Sequence, residues 1–191
     1  MAESDNAREH DDYLAHIKGS TSLVISATPS TNTQPIVSIR ALRSYVTPGR
    51  LRKLLLCVGG STNYETVVRE RYLVVFSILL SIEMGPFINT FIQYEQLVDE
   101  RLPFLTRDVL PEAFSVIFAQ FYEAQWKFCA KTLVPHGLND TRLPDNMVMP
   151  FKKIEILNSG SDSTISKVEL FDEYNHLVPV RQLRARALLL E

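Results

Sequence analysis

Residues 72–82 read Tyr72-Leu-Val-Val-Phe-Ser-Ile-Leu-Leu-Ser-Ile82, the most apolar run of the chain. A membrane-spanning helix needs about 20 apolar residues, and this run is too short for one. Charges close it off on both sides, with Arg69, Glu70 and Arg71 before it and Glu83 after it. The run therefore reads as a soluble helix. Apolar residues cover most of its circumference, which places it at the centre of a helical core.

Upstream, Thr62 and Glu65 have the spacing of a capping box, in which each side chain answers the other's backbone amide. This predicts one helix running from there through Val67, Val68, Tyr72, Val75, Phe76, Leu79 and Leu80, with Gly85-Pro86 as its stop. An earlier helix is predicted to start at Thr47-Pro48, because proline lacks an amide that the first turn would leave orphaned anyway. Leu51, Leu54 and Leu55 follow at helical spacing, and Gly59-Gly60 ends it. Downstream, Pro86 can open a short helix carrying Phe87, Ile88, Phe91 and Ile92. Pro103 breaks the chain, and Pro111 can open another helix. Phe114, Ile117, Phe118, Phe121, Ala124 and Phe128 then recur at helical spacing, widened by Tyr122 and Trp126. An aromatic stripe of this kind reads as core rather than as the lining of a ligand groove.

These signals give an α+β chain, mainly α: a helical, bundle-like block at 36–134 followed by a short antiparallel β meander. Residues 1–35 read as a disordered tail, since Thr28-Pro-Ser-Thr-Asn-Thr-Gln-Pro35 buries too little apolar surface to offset its ordering entropy. Only Leu23-Val24-Ile25 offers that tail something to dock with. Residues 135–150, rich in turn formers, read as a linker. In 151–191, alternation over Lys153–Leu157, Ile165–Phe171 and Leu177–Leu183 gives three strands, with a turn at Asn158–Ser163. Arg184–Leu190 can begin a helix.

The 20 Lys and Arg against 22 Asp and Glu give a net charge of -2, which argues against a general nucleic-acid or membrane-surface footprint. A local basic cluster remains at Arg40, Arg43, Arg50, Arg52 and Lys53. Two cysteines, Cys57 and Cys129, cannot form a disulfide framework, and both read as reduced core residues of helices. The acidic N-terminus lacks the pattern of a signal peptide, so an intracellular protein, cytoplasmic or nuclear, is expected. Asn139-Asp140-Thr141 fits the glycosylation triplet without a secretory context. His10, His16, His136 and His176 stand apart from other ligand types, so no metal is assigned. No nucleophile elbow, zinc-protease motif or Walker loop occurs.

One ordered set of short motifs stands out: Gln125-Trp-Lys-Phe128, then Met149-Pro-Phe151, then Ser163-Thr-Ile-Ser-Lys-Val168. Leu102-Pro-Phe104 precedes them. From about residue 45 to 183 this layout resembles that of fungal serine/threonine protein-kinase-like proteins. There a helical N-terminal region leads into the glycine-rich strand-turn-strand that opens a kinase N-lobe. The resemblance implies nucleotide-site positions at Gly160, Ile165 and Arg181. The first loop glycine falls at Asn158, the next at Gly160 and the third at Ser161, while the aromatic at the loop tip becomes Asp162. Such a loop needs several glycines to close over phosphates, and an acidic tip repels them. Arg181 stands where the phosphate-binding lysine falls, and its planar fork is not equivalent to an ammonium.

Neither His-Arg-Asp nor Asp-Phe-Gly occurs in the chain, although the catalytic loop and metal site of a kinase need them. The 40 residues after Phe151 leave room for three strands and no C-terminal lobe. The expectation is a non-catalytic, pseudokinase-like fragment with a degenerate ATP loop, no cofactor, and a protein partner bound through the helical domain. Two alternatives stay open. One is the N-terminal part of a longer ATP-binding kinase. The other is a helical module that binds an anionic partner through Arg40–Lys53. A decaying family copy without a selected role also fits.

Overall fold

A computed structural model of the protein describes residues 2–25, 33–107, 111–135, 143–159, 164–177 and 188–190. The fold is α+β and mainly helical, as the sequence predicts. It divides into two compact units. One comprises Met1–Thr21 and Val37–Phe128; the other comprises Ser22–Ile36 and Cys129–Glu191.

The helical unit contains α1 (Ala2–Gly19), α2 (Ile39–Tyr45), α3 (Pro48–Cys57), α4 (Glu65–Arg71), α5 (Leu73–Ser81), α6 (Ile88–Phe91) and α7 (Phe118–Gln125). Every residue from Leu73 to Leu80 is buried, so α5 is the central helix that its composition requires. The aromatic stripe of α7 is core. Phe121 stacks on Phe91 and Phe104 at 5.6 and 5.7 Å between ring centroids, and Phe114 meets Phe91 at 4.4 Å.

Helix α3 starts at Pro48, but the Thr47 side chain makes no cap hydrogen bond. Its end is a complete Schellman motif. Gly59, at φ +68°, donates to the Leu56 carbonyl, and Gly60 donates to that of Leu55. Helix α5 closes in the same way on a residue that is not glycine. Glu83 sits at φ 60°, and Met84 donates to the Leu79 carbonyl. The stop therefore falls two residues ahead of the Gly85-Pro86 signal. Gly85 instead permits a close approach, since a Cβ there would lie 2.5 Å from Cγ1 of Val58.

The single long helix expected from Thr62 is not present, and neither is its capping box. Residues Thr62–Tyr64 form a 3-10 turn in which the Asn63 amide pairs with Ser61 Oγ, and the chain breaks at Tyr72 between α4 and α5. The physical reason is Asp99. Its two carboxylate oxygens accept the amides of Val74 and Val75 at 2.9 Å each. A continuous helix would give those two amides to the carbonyls one turn back.

The N-terminal segment corrects a second expectation, because the described part of residues 1–35 is not a disordered tail. Glu9, Tyr13 and Ile17 lie at i, i+4, i+8 and form the buried stripe of α1. An acidic residue in that stripe hides it from a search for apolar periodicity. Leu23-Val24-Ile25 falls in strand β1 (Thr21–Ile25), which pairs with β2 (Thr33–Val37).

In the second unit β3 (Phe151–Ser159), β4 (Thr164–Leu170) and β5 (Leu188–Leu190) form a sheet in that order, with both pairings antiparallel. The meander is thus present, but the strand next to β4 is Leu188–Leu190, where the sequence suggests a helix. Residues 178–187, which hold most of the expected third strand, lie outside the described residues. The end of the expected linker belongs to this unit too. Val148 is buried and accepts the Lys131 amide, and Pro150 accepts that of Phe171. A small core of Leu133, Phe151, Val168 and Leu170, flanked by Met149, Ile154 and Leu177, explains why: the sheet needs Leu133 and Met149 to cover one face. Cys129 lies beyond α7 rather than in a helix, and both cysteines are half-buried and outside any disulfide.

Candidate functional site

The hairpin of β3 and β4 carries the positions that the resemblance singles out. Ile165 is on β4, half-buried and opposite Asn158. Gly160 and Arg181 lie outside the described residues, as do Ser161 and Asp162. The described strands run antiparallel up to Ser159 opposite Thr164, with an irregularity between Ile156 and Asn158. The base of the hairpin is packed through Phe151, Val168 and Leu170, whereas Ile156 and Leu157 further along β3 are exposed.

A second constellation joins α1, α2 and α3. Tyr45 donates its phenolic hydrogen to Glu9 Oε1 at 3.0 Å, and Arg50 Nε lies 3.7 Å from the same oxygen. The Arg50 guanidinium stands over the Tyr45 ring at 4.3 Å. The rings of Tyr13 and His16 flank that of Tyr45, with centroids at 5.2 and 4.6 Å. Burial, and then the hydrogen bond to Glu9, push the Tyr45 hydroxyl up to about 12. Arg50 is therefore not a free member of the expected basic cluster. Arg40, Arg43 and Arg52 are exposed on α2 and α3, and Lys53 is half-buried.

No family model, curated protein or solved structure matches this chain.

Several further polar side chains of the helical unit are hydrogen-bonded within the fold. Tyr13 donates to Ser77 Oγ at 2.6 Å, and Ser77 in turn donates to the Leu73 carbonyl. Burial raises the Tyr13 hydroxyl well above its ordinary value. Gln125 is fully buried, and its amide clamps one backbone residue from both sides. Its oxygen accepts the Phe104 amide at 2.8 Å, and its nitrogen donates to the Phe104 carbonyl at 3.0 Å. Asn89 does similar work at an exposed turn, accepting from Ser61 N and donating to the Gly59 carbonyl. Burial pushes the Asp99 carboxyl up to about 6, opposed by the amides of Val74, Val75 and Leu73. The thiol of Cys57 is also raised by burial, away from nucleophilic character.

Among the described residues, no group of three or more His, Cys, Asp or Glu side chains could hold a metal ion. His16 Nε2 is engaged by the Ala41 carbonyl at 3.1 Å, and His136 lies outside the described residues. No helix among the described residues is long and apolar enough to cross a membrane. Sequence reasoning missed Glu9, Tyr45, Asp99 and Gln125. For these four, the Gln125-Trp126-Lys127-Phe128 motif was the one signal that could have pointed to any of them.

Proposed function

We propose that this chain is a non-catalytic, pseudokinase-like binding module whose helical unit holds a protein partner and whose hairpin is a degenerate nucleotide loop. One observation carries this reading. The groups in the helical unit with the strongest chemical character each serve the fold. Asp99 caps α5, Gln125 clamps Phe104, and Glu9 holds Tyr45 and Arg50. Perturbed proton affinities often mark active sites, but here burial within the fold is the first cause of each shift. On the surface of α2 and α3, Arg43, Arg52 and Leu56 are exposed. Arg52 and Leu56 are four residues apart and so share one face of α3.

The alternative of a longer, ATP-binding kinase draws on the antiparallel pairing of β3 and β4 on either side of positions 160–163. The anionic-partner alternative draws on the same α2–α3 arginines. A photoreactive side chain placed at Leu56 tests the main reading in the source cell. The expected result is one protein crosslinked from position 56, and its loss when Arg52→Glu is added. Steep weakening of that contact with salt would favour the anionic reading. Crosslinks from a hairpin position such as Ile156, with none from position 56, would contradict the proposal.

A further inference from the structure

The exposed edge of the small sheet has a charge pattern that fits itself, independently of any partner of the helical unit. The sheet order β3-β4-β5 leaves β3 at an edge, with no strand on its far side among the described residues. Between its two irregularities β3 runs regularly over Lys153-Ile154-Glu155-Ile156. Lys153 stands opposite Glu169, and Glu155 stands opposite Lys167, so these four charges share one face. Ile154, opposite buried Val168, and Ile156 share the other face. Ile156 is 66% exposed because the small core stops short of it.

Edge strands offer unpaired amides and carbonyls to other strands, and proteins commonly blunt them with lysine. Here the lysine is followed two residues later by a glutamate, so one particular pairing escapes the block. We propose that β3 docks antiparallel against β3 of a second copy of this chain, centred on Ile154. In that register Lys153 of each copy faces Glu155 of the other, twice by symmetry. Ile154 meets Ile154 on the other face. Other registers are disfavoured. Centring on Lys153 sets lysine against lysine, and centring on Glu155 sets glutamate against glutamate. A shift of one residue turns the charged face of one copy to the apolar face of the other. The regular run is short, so association should appear only at high protein concentration.

Sedimentation equilibrium of the full chain, from about 1 µM to about 1 mM, reads the affinity directly. The wild type is expected to dimerise within that range. K153E and E155K should each weaken dimerisation about tenfold or more, because each sets two like-charged pairs across the interface. The decisive arm mixes them. K153E and E155K together should form a heterodimer about as tight as the wild-type dimer, since their charges complement each other again. Thermal melts of each variant check that the hairpin survives. Restored pairing in the mixture itself excludes misfolding as the cause of loss. A wild type that stays monomeric throughout, even if it binds a foreign strand, would overturn the proposal. So would single variants that dimerise normally, or a mixture that does not associate.

Discussion

Replacing Gln125 with alanine is expected to destabilise the helical unit by about 3–5 kcal/mol, since it strands two buried backbone groups and opens a cavity. Both the amide and the carbonyl of Phe104 find their partner in this one side chain. The surroundings are ring-packed, with Phe104 stacked on Phe121 at 5.7 Å, so they have little freedom to collapse into the space. Urea unfolding of the full chain gives the number. Gln125→Glu separates the hydrogen-bond loss from the cavity, because it keeps the volume. An ionised carboxylate there can still accept from the Phe104 amide but repels its carbonyl. The Glu variant should therefore be weak at neutral pH and regain stability in acid, where a protonated carboxyl donates in place of the amide nitrogen. A loss below about 1 kcal/mol for Gln125→Ala would mean that the clamp adds little beyond an ordinary hydrogen bond.

Asp99 is the next large effect, and it carries a pH signature. Asp99→Ala leaves the Val74 and Val75 amides at the start of α5 without their partner, which should cost about 2–3 kcal/mol at neutral pH. The sign of the pH dependence follows from the raised carboxyl. The folded protein holds this proton up to about pH 6, while the unfolded chain releases it near the ordinary value of 3.8. Between those two values the folded state binds more protons, so this group's contribution falls as pH rises and levels off above about 6. The full swing is at most about 3 kcal/mol, and partial solvation of the carboxylate reduces it. The check is thermal unfolding of the wild type and Asp99→Asn across pH 4 to 7. The wild type should lose ground relative to Asp99→Asn over that interval, and parallel curves would show that Asp99 titrates normally.

These two residues also show where the sequence stops speaking. The apolar run at Leu73–Leu80, the Thr47-Pro48 start and the Gly59-Gly60 stop are local signals, and local chemistry is enough to read them. The break at Tyr72 is not local, because the side chain that enforces it lies 25 residues beyond Val74. Gln125 reads as one polar residue in an aromatic stripe, and its partner Phe104 is 21 residues away. Helix α1 was hidden for a related reason. Its buried stripe begins with Glu9, which is tolerable only because Tyr45 and Arg50, from other helices, meet it. The meander's first two strands were legible from alternation. The strand Leu188-Leu-Leu190 was not, because it carries no alternation that marks a face. Of the three nucleotide-site positions, Ile165 alone falls among the described residues, so the sequence remains the main witness for the loop.

The proposed loss of nucleotide binding is most directly tested by a thermal-shift titration of the full chain with Mg-ATP into the millimolar range. A ligand that binds only the folded state raises the melting temperature in proportion to the logarithm of its excess over Kd. With Gly160 the one glycine in that stretch and an acid at Asp162, no shift beyond that given by Mg and salt alone is expected. A rise of several degrees that disappears in Gly160→Asp would contradict the loss of nucleotide binding and favour the start of an ATP-binding kinase.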